Sequence, residues 1–254
     1  MPFTFSHPAA AVPLLRPLGR YGSLSALAIG SIAPDLAFIV PIGFSRDQTH
    51  GLAALFWFCL PAGALVYLLF HALLKAPLLA LAPNRFANQF PEKRAAEPWS
   101  AVLVSLLCGA VTHVIWDAFT HPGTPVVDAL PWLQSELASI GGYRLYGFGL
   151  LQHASSIIGL ALLALWTWNW LRKTPAASER GQSLSNAERI GVLTGLVSVP
   201  FFVGLFAGWR RTPLIADITY LQEFMMGFIF TALPTAAFVV IIYAVLWRLC
   251  NQFQ

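Results

Sequence analysis

Five stretches of the chain, at about 52–74, 100–119, 149–171, 190–209 and 224–247, run almost without a charge. A helix needs roughly 20 apolar residues to cross the hydrocarbon core of a bilayer, so each stretch is predicted to be a transmembrane helix. The intervening segments 75–99 and 172–189 are polar, and 122–148 is rich in Pro and Gly. All three read as loops. Pro61, Pro200 and Pro234 fall inside spans, where kinks are tolerated. The pattern predicts an all-α polytopic membrane protein with about five transmembrane helices and no internal repeat.

Before the first span the pattern breaks. Residues 8–15 and 23–34 are apolar but each too short to cross alone, and the RPLGRYG between them carries the Pro and Gly of a turn. An N-terminal antiparallel helical hairpin is expected, and it would return His7 and Asp35 to the same side. The basic residues Arg16 and Arg20 follow the first apolar stretch, and no small-residue cleavage site stands out. A cleavable signal peptide is therefore not expected.

Composition supports the membrane reading and excludes others. The chain is 57% hydrophobic and 10% charged, against roughly 25% charged for a soluble domain, with a mean hydropathy of +0.67. The net charge of +4 resembles a nucleic-acid footprint only until its location is considered. The basic residues fall in loops between spans, where they report orientation. The lipid bilayer is the expected partner and nucleic acid is not. Cys59 and Cys108 lie inside spans and Cys250 just past the last one, so no disulfide framework is expected.

Alternating the spans from the hairpin puts Arg16, Arg20, Lys75, Arg85, Lys93, Arg94, Arg172, Lys173, Arg180, Arg189 and Arg248 on one side, eleven of the fifteen basic residues. Arg46, Arg144, Arg210 and Arg211 take the other. By the positive-inside rule the first side is cytoplasmic. His7, Asp35, His50, the 113–121 segment and His153 then face outward.

That outer layer holds the candidate chemistry. In THVIWDAFTH (112–121), His113 and Asp117 are four residues apart and share one helical face, a spacing that lets both grip one ion. His121 is one further turn along, where Pro122 and Gly123 should end the helix. An Asp at mid-membrane costs roughly 2.5–3.5 kcal/mol, so such groups usually face a polar cavity and mark function. A lone intramembrane His is more often a packing residue. The case rests on the set: five of the six histidines, His7, His50, His113, His121 and His153, fall at outer ends of segments together with Asp35 and Asp117, and only His71 falls at the opposite end. Imidazole and carboxylate are ligands of zinc and similar divalent ions, and seven such groups suffice for two metals.

Other polar residues have blander readings. Arg144, Arg210 and Arg211 can bind an anionic substrate group, since the guanidinium fork matches phosphate, and lipid-headgroup anchoring is an equally good reading. Trp132, Tyr143 and Tyr146 read as interfacial aromatics. Ser155 and Ser156 are expected to pack or hydrogen-bond within the bundle and not to act as nucleophiles. Gln152, Thr112 and Thr120 are expected to orient ligand histidines. Asp128, Glu136, Asp217 and Glu223 read as solvated or capping residues. The metal ligands thus belong to 1–171, and 190–254, which contains no histidine, supplies C-terminal helices of a single integral membrane domain.

The opening PFTFSHPAA, GSIAPD at 30–35, TH at 49–50, HVIWDAFTH and QHASS at 152–156 resemble an uncharacterised bacterial membrane family, domain of unknown function 4184 (DUF4184). The resemblance covers most of residues 1–160. More distantly, the chain is similar to membrane-bound metal-dependent hydrolases, and the order His7, Asp35, His50, HVIWD, His121, His153 resembles the ligand order of the zinc-dependent phospholipase C and P1 nuclease superfamily. That resemblance implies a trinuclear zinc site cleaving phosphate esters. Asp35, His50, His113 and Asp117 would hold the first metal, His121 and His153 the second, and Asp117 would bridge to a third bound by His7. Two departures stand out. The soluble enzymes place a carboxylate one turn after the last histidine, where this chain has Ile157, and they use a free mature N-terminus, which this chain is expected to lack. One or two ions, Zn2+ or another divalent metal, are therefore expected.

The leading expectation is a membrane-embedded metal-dependent hydrolase at the outer face of the bacterial inner membrane. It would cleave a lipid or phosphoester with metal-activated water that Asp35 or Asp117 orients. The alternative is a divalent-metal-binding or transport protein without catalysis, although transporters usually place their site near the midplane. Haem ligation by His113 and His153 is a third reading, less attractive with two carboxylates among the ligands. Nothing in the sequence sets an oligomeric state.

Overall fold

The structure, a computed structural model, describes residues 3–40, 43–90, 96–140, 143–175, 184–212 and 218–251. Lys93, Arg94, Arg180 and Asp217 lie outside the described residues. In chain order, the helices that matter here are α1 (Leu24–Gly30), α2 (Arg46–His50), α3 (Leu55–Leu81), α4 (Trp99–Thr120), α5 (Gly147–Lys173), α6 (Asn186–Arg211) and α7 (Ile218–Asn251). Among the described residues five helices, α3 to α7, are long and apolar enough to span a bilayer. The chain is an all-α polytopic membrane protein, as the run lengths predict.

Its helices differ from the apolar runs mainly at their ends. The first continues past Lys75 and Pro77 to Leu81. Two π-turns interrupt it, Leu55–Cys59 and Phe70–Leu74, each just before a proline, Pro61 or Pro77. Proline has no N–H to give the carbonyl four residues back. For Pro77 that carbonyl belongs to Leu73, and Arg248 Nε donates to it at 3.1 Å, while Tyr243 donates its hydroxyl proton to the Pro77 carbonyl at 3.1 Å. The Arg248 side chain thus satisfies the carbonyl that Pro77 leaves without a donor, as lipid requires.

The chain forms two compact units, one of Met1–Ala37, Ile42–Tyr67 and Ala95–Trp170, the other of Phe38–Pro41, Leu68–Arg94 and Leu171–Gln254. In the second unit α6 and α7 pack along each other, with Phe201 set edge-on to Phe228 at 5.8 Å. A reciprocal Ser185–Glu188 capping box starts α6.

The first unit is organised around α4. The N-terminal hairpin is built of short turns, Thr4–Ser6, Pro8–Ala11, Val12–Leu14, Leu15–Leu18 and Gly19–Tyr21, leading into α1. Its arms, Pro8–Ala11 and α1, pack on each other and both pack on α4. The α1–α4 crossing is close because both helices present glycine there. A Cβ on Gly30 would meet the Leu106 backbone, and one on Gly109 would meet Leu27 O and Ser31 N. Small residues at a crossing let membrane helices approach. One turn before Gly109, the buried Ser105 ties the hairpin down by accepting from Ser23 N at 2.8 Å and donating to Tyr21 O at 3.0 Å. The core around the crossing is small and aliphatic: Ala11, Ala26, Leu27, Val102, Leu106 and Ala110 are buried.

The segment read as a loop at 122–148 is more ordered than its Pro and Gly content predicts. It contains Pro125–Ala129, Pro131–Gln134 and an antiparallel hairpin of β1 (Glu136–Ile140) with β2 (Tyr143–Tyr146), pairing Ser139 with Arg144. This small ribbon leaves the all-α class unchanged.

Candidate metal centre

Four segments of the first unit bring their polar side chains together. His7 follows the Thr4–Ser6 turn and precedes Pro8, whose fixed φ suits it to open a helical turn. Asp35 ends the turn Ala33–Asp35 after α1. His50 ends α2, whose start is set by a Ser45–Gln48 capping box. His113 and Asp117 lie one turn apart on the buried face of α4, in register with Ser105 and Gly109. His121 caps α4 in extended conformation, immediately before Pro122 and Gly123, as the turn signal predicts.

His7, Asp35, His50, His113, Asp117 and His121 are all buried. His113 Nε2 lies 3.4 Å from Asp117 Oδ2 and 3.7 Å from Asp35 Oδ1. His50 Nε2 lies 3.4 Å and 3.3 Å from the same two oxygens. His7 Nε2 is 3.7 Å from Asp117 Oδ1, and its ring stacks on that of His113 with centroids 3.8 Å apart. His121 Nδ1 is 3.6 Å from Asp117 Oδ2. Two sets of ligand atoms come within 4.8 Å of one another, His7–Asp35–His113 and His50–His113–Asp117.

These separations are long for hydrogen bonds to carboxylate, which run about 2.7–2.9 Å when charge-assisted. Among the described residues, both ring nitrogens of His7, Nε2 of His113 and of His121, Asp35 Oδ1 and Asp117 Oδ1 are buried without a hydrogen-bond partner. Buried polar atoms are nearly always satisfied, so six orphans in one cluster need an account. Ligand atoms ~2.0–2.2 Å from a zinc-type ion stand roughly 3.3–3.6 Å from each other at tetrahedral angles. The measured separations fall in and just beyond that range. These His and Asp groups fit a divalent metal ion.

The rings are held from behind, as ligand histidines usually are. His113 Nδ1 is 2.7 Å from the Ser31 carbonyl, which fixes this nitrogen as donor and leaves Nε2 with its lone pair. His50 Nδ1 meets Thr49 Oγ1 at 2.9 Å and the Arg46 carbonyl at 3.2 Å. Thr4 donates to Asp35 Oδ2 at 2.6 Å. Thr120 meets His121 Nδ1 at 3.3 Å, the orienting role expected of it. Thr112 instead donates to the Gly109 carbonyl, and Gln152 serves through its carbonyl, which accepts from Ser155 and Ser156.

Electrostatics favour the neutral form of His7 and His121 and the ionised form of Asp35. Burial, reinforced by neighbouring His113, pushes His7 down to about 3. Burial likewise pushes His121 down to about 4, against the pull of Asp117. Burial also opposes the charged form of His50, but the close approach of the Asp117 and Asp35 carboxylates overcomes it and raises His50 above its ordinary value. Burial raises the Asp35 carboxyl, yet its contacts with His50, His113 and Thr4 prevail and hold it below the usual carboxylate range.

The remaining sequence candidates have the following surroundings. His153 is exposed on α5, its Nε2 3.5 Å from the Tyr143 hydroxyl, and belongs to neither ligand set. Arg144 is exposed and lies 3.8 Å from Glu136 across the β-ribbon. Arg210 and Arg211 end α6, Arg210 over the Phe206 ring at 5.9 Å. Ser155 accepts from Trp116 Nε1 at 3.0 Å and Ser156 from Phe3 N at 3.0 Å, so both brace the structure around His7 and Trp116.

Sequence reasoning missed one charged group. Arg46 donates through an Nη to Asp117 Oδ2 at 2.8 Å. It had counted only as a marker of orientation, although it precedes His50 by one helical turn, the spacing that flags His113 and Asp117. Thr4 and Thr49 carry no comparable signal, since short hydroxyl residues are common beside any turn.

The model of the family described as Domain of unknown function (DUF4184) matches residues 1–246. No curated protein and no solved structure matches this chain. With nearly its whole length matched, the chain belongs to the DUF4184 family.

Proposed function

We propose that the chain is an integral membrane, metal-dependent hydrolase that cleaves a phosphoester, with a lipid-linked substrate in view. One observation carries this reading: buried imidazole nitrogens and carboxylate oxygens stand 3.3–3.7 Å apart, several without hydrogen-bond partners, at the spacing of ligands about one ion. His50, His113, Asp117 and Asp35 would hold the principal ion. His7 and His121 flank it, His7 against the shared His113. Zn2+ or another divalent ion held there would lower the pKa of a bound water toward ~7 and polarise the phosphoryl group. Asp35, whose Oδ2 accepts from Thr4, would orient that water. Asp117, whose Oδ2 accepts from Arg46, would be held in place by that contact.

Charge distribution supports an extracytoplasmic site in a bacterial inner membrane, because the hairpin topology leaves eleven of fifteen basic residues on the opposite side. Single cysteines replacing Lys93 and Arg144 test this in intact cells. An impermeant thiol reagent should label position 144 and leave 93 unlabelled, and the reverse pattern overturns the orientation.

The function is tested on protein purified in mild detergent. Metal content near stoichiometric, with aryl phosphate hydrolysis lost on chelation and restored by the ion, supports the reading. Protein that takes up no divalent ion sinks it. Metal flux in proteoliposomes without hydrolysis would instead support a carrier built on the same ligands.

A further inference from the structure

The Arg46 side chain spans from the buried cluster toward the surface. Its Asp117 partner is 3% exposed, whereas the Arg46 side chain is 25% exposed. One Nη donates to Asp117 Oδ2, and Nε is buried with no hydrogen-bond partner among the described residues. Guanidinium carries five donors in a planar fork, so the contact with Asp117 leaves a buried N–H in need of an acceptor. Its backbone is held firmly. The Arg46 carbonyl accepts from Thr49 Oγ1 at 3.3 Å and lies 3.2 Å from His50 Nδ1, and Ser45 N donates to Gln48 Oε1 at 2.9 Å. One five-residue helix therefore delivers both a ligand-type imidazole and a cation to the same carboxylate.

Charge accounting indicates what that cation is for. Two carboxylates, Asp35 and Asp117, face the imidazoles of the cluster. A divalent ion held there would balance both carboxylates, and the fixed positive charge of Arg46 would then stand in excess beside the site. A neutral ester or amide carries no charge to balance that excess. A phosphoryl group carries that charge, and its non-bridging oxygens match guanidinium geometry. A purely structural pair with Asp117 is a weaker account, because pairing alone does not require a buried, unpartnered Nε.

We propose that Arg46 is the anion-binding residue of this site, its guanidinium fork holding a non-bridging phosphoryl oxygen of the substrate next to the His50–His113–Asp117 cluster. The proposal rests on the hydrolase reading above and assigns the substrate-binding role to Arg46 in place of Arg144, Arg210 and Arg211.

The test uses full-length protein in detergent, loaded with zinc, with inorganic phosphate as the probe and calorimetry as the readout. Arg46→Gln should retain metal and bind phosphate at least about tenfold more weakly, the loss of one charge-assisted contact. Arg46→Lys keeps the charge without the fork and should fall between Arg46→Gln and the unaltered protein. Arg144→Gln should match the unaltered protein. Phosphate affinity unchanged in a metal-loaded Arg46→Gln, or no phosphate binding by the metal-loaded unaltered protein, overturns this inference and leaves the hydrolase reading standing. Failure of the unaltered protein to take up metal overturns both.

Discussion

The imidazoles of His7 and His113 lie stacked, centroids 3.8 Å apart and planes 17° from parallel, although one stands in the N-terminal hairpin and the other in α4. Two imidazolium rings would repel in that arrangement, and burial indeed keeps His7 neutral. The His113 ring is oriented from behind, its Nδ1 donating to the Ser31 carbonyl and its Nε2 turned toward the carboxylates.

Metal retention should follow the structure and not the simple count of histidines. His113→Ala removes the residue common to both ligand sets and should abolish stoichiometric metal with the helices intact by circular dichroism. His153→Ala alters an exposed ring beside Tyr143 and should leave metal content unchanged. Metal analysis of the two purified variants decides, and equal loss in both would restore His153 to the ligand set.

The residues behind the ligands should matter nearly as much. Thr4→Val removes the 2.6 Å hydrogen bond to Asp35 and little volume. Partners of this kind typically account for 10–100-fold in metal affinity, so Thr4→Val should weaken zinc binding by at least about tenfold in a competition titration with a chelator. An unchanged affinity would show Asp35 to be held by its other contacts.

The α1–α4 crossing should resist the smallest enlargement. Gly109→Ala places a methyl group against Leu27 O and Ser31 N, and overpacking of this type costs about 1–3 kcal/mol. Ser31 also supplies the carbonyl that orients His113. The variant should therefore lower the thermal midpoint and weaken metal binding together, whereas Gly191→Ala, with open space around it, should change neither.

Acid should destabilise the protein when a chelator keeps it metal-free. His7 at about 3 and His121 at about 4 bind protons less readily folded than at their ordinary 6.5. The unfolded chain then holds more protons in that window, and stability falls as pH drops from about 6.5 toward 4. His50, raised, acts oppositely: its contribution is complete below 6.5 and fades as pH rises through its elevated value. Asp35, lowered, loses its contribution only as pH falls below its ordinary 3.8 and through its depressed value. With two depressed histidines against one raised, the thermal midpoint should be lower at pH 5 than at pH 7, and His121→Gln should flatten the difference. A midpoint that rises on acidification contradicts this balance.

The spans were legible because lipid imposes a one-dimensional rule. A backbone crossing the bilayer must satisfy its own hydrogen bonds, so about 20 apolar residues in sequence are enough to identify α4 to α7 and most of α3. Lys75 and Pro77 masked the end of α3, because the group that compensates the proline, Arg248, lies far away in sequence. The His113–Asp117 pair was legible for a related reason, since helical periodicity alone puts residues four apart on one face.

By itself, then, the sequence determined an all-α membrane chain, the end of α4 at His121 and the residue types from which a site is drawn. The tertiary structure decided which of those residues meet. It brought His7, Asp35 and His50 to α4 through short turns and a crossing that only Gly30 and Gly109 permit. It added Arg46 and set His153 at the surface. The reason is physical: contact between distant segments depends on how closely two helices pack and on turn dihedrals, and neither leaves a periodic trace in the chain.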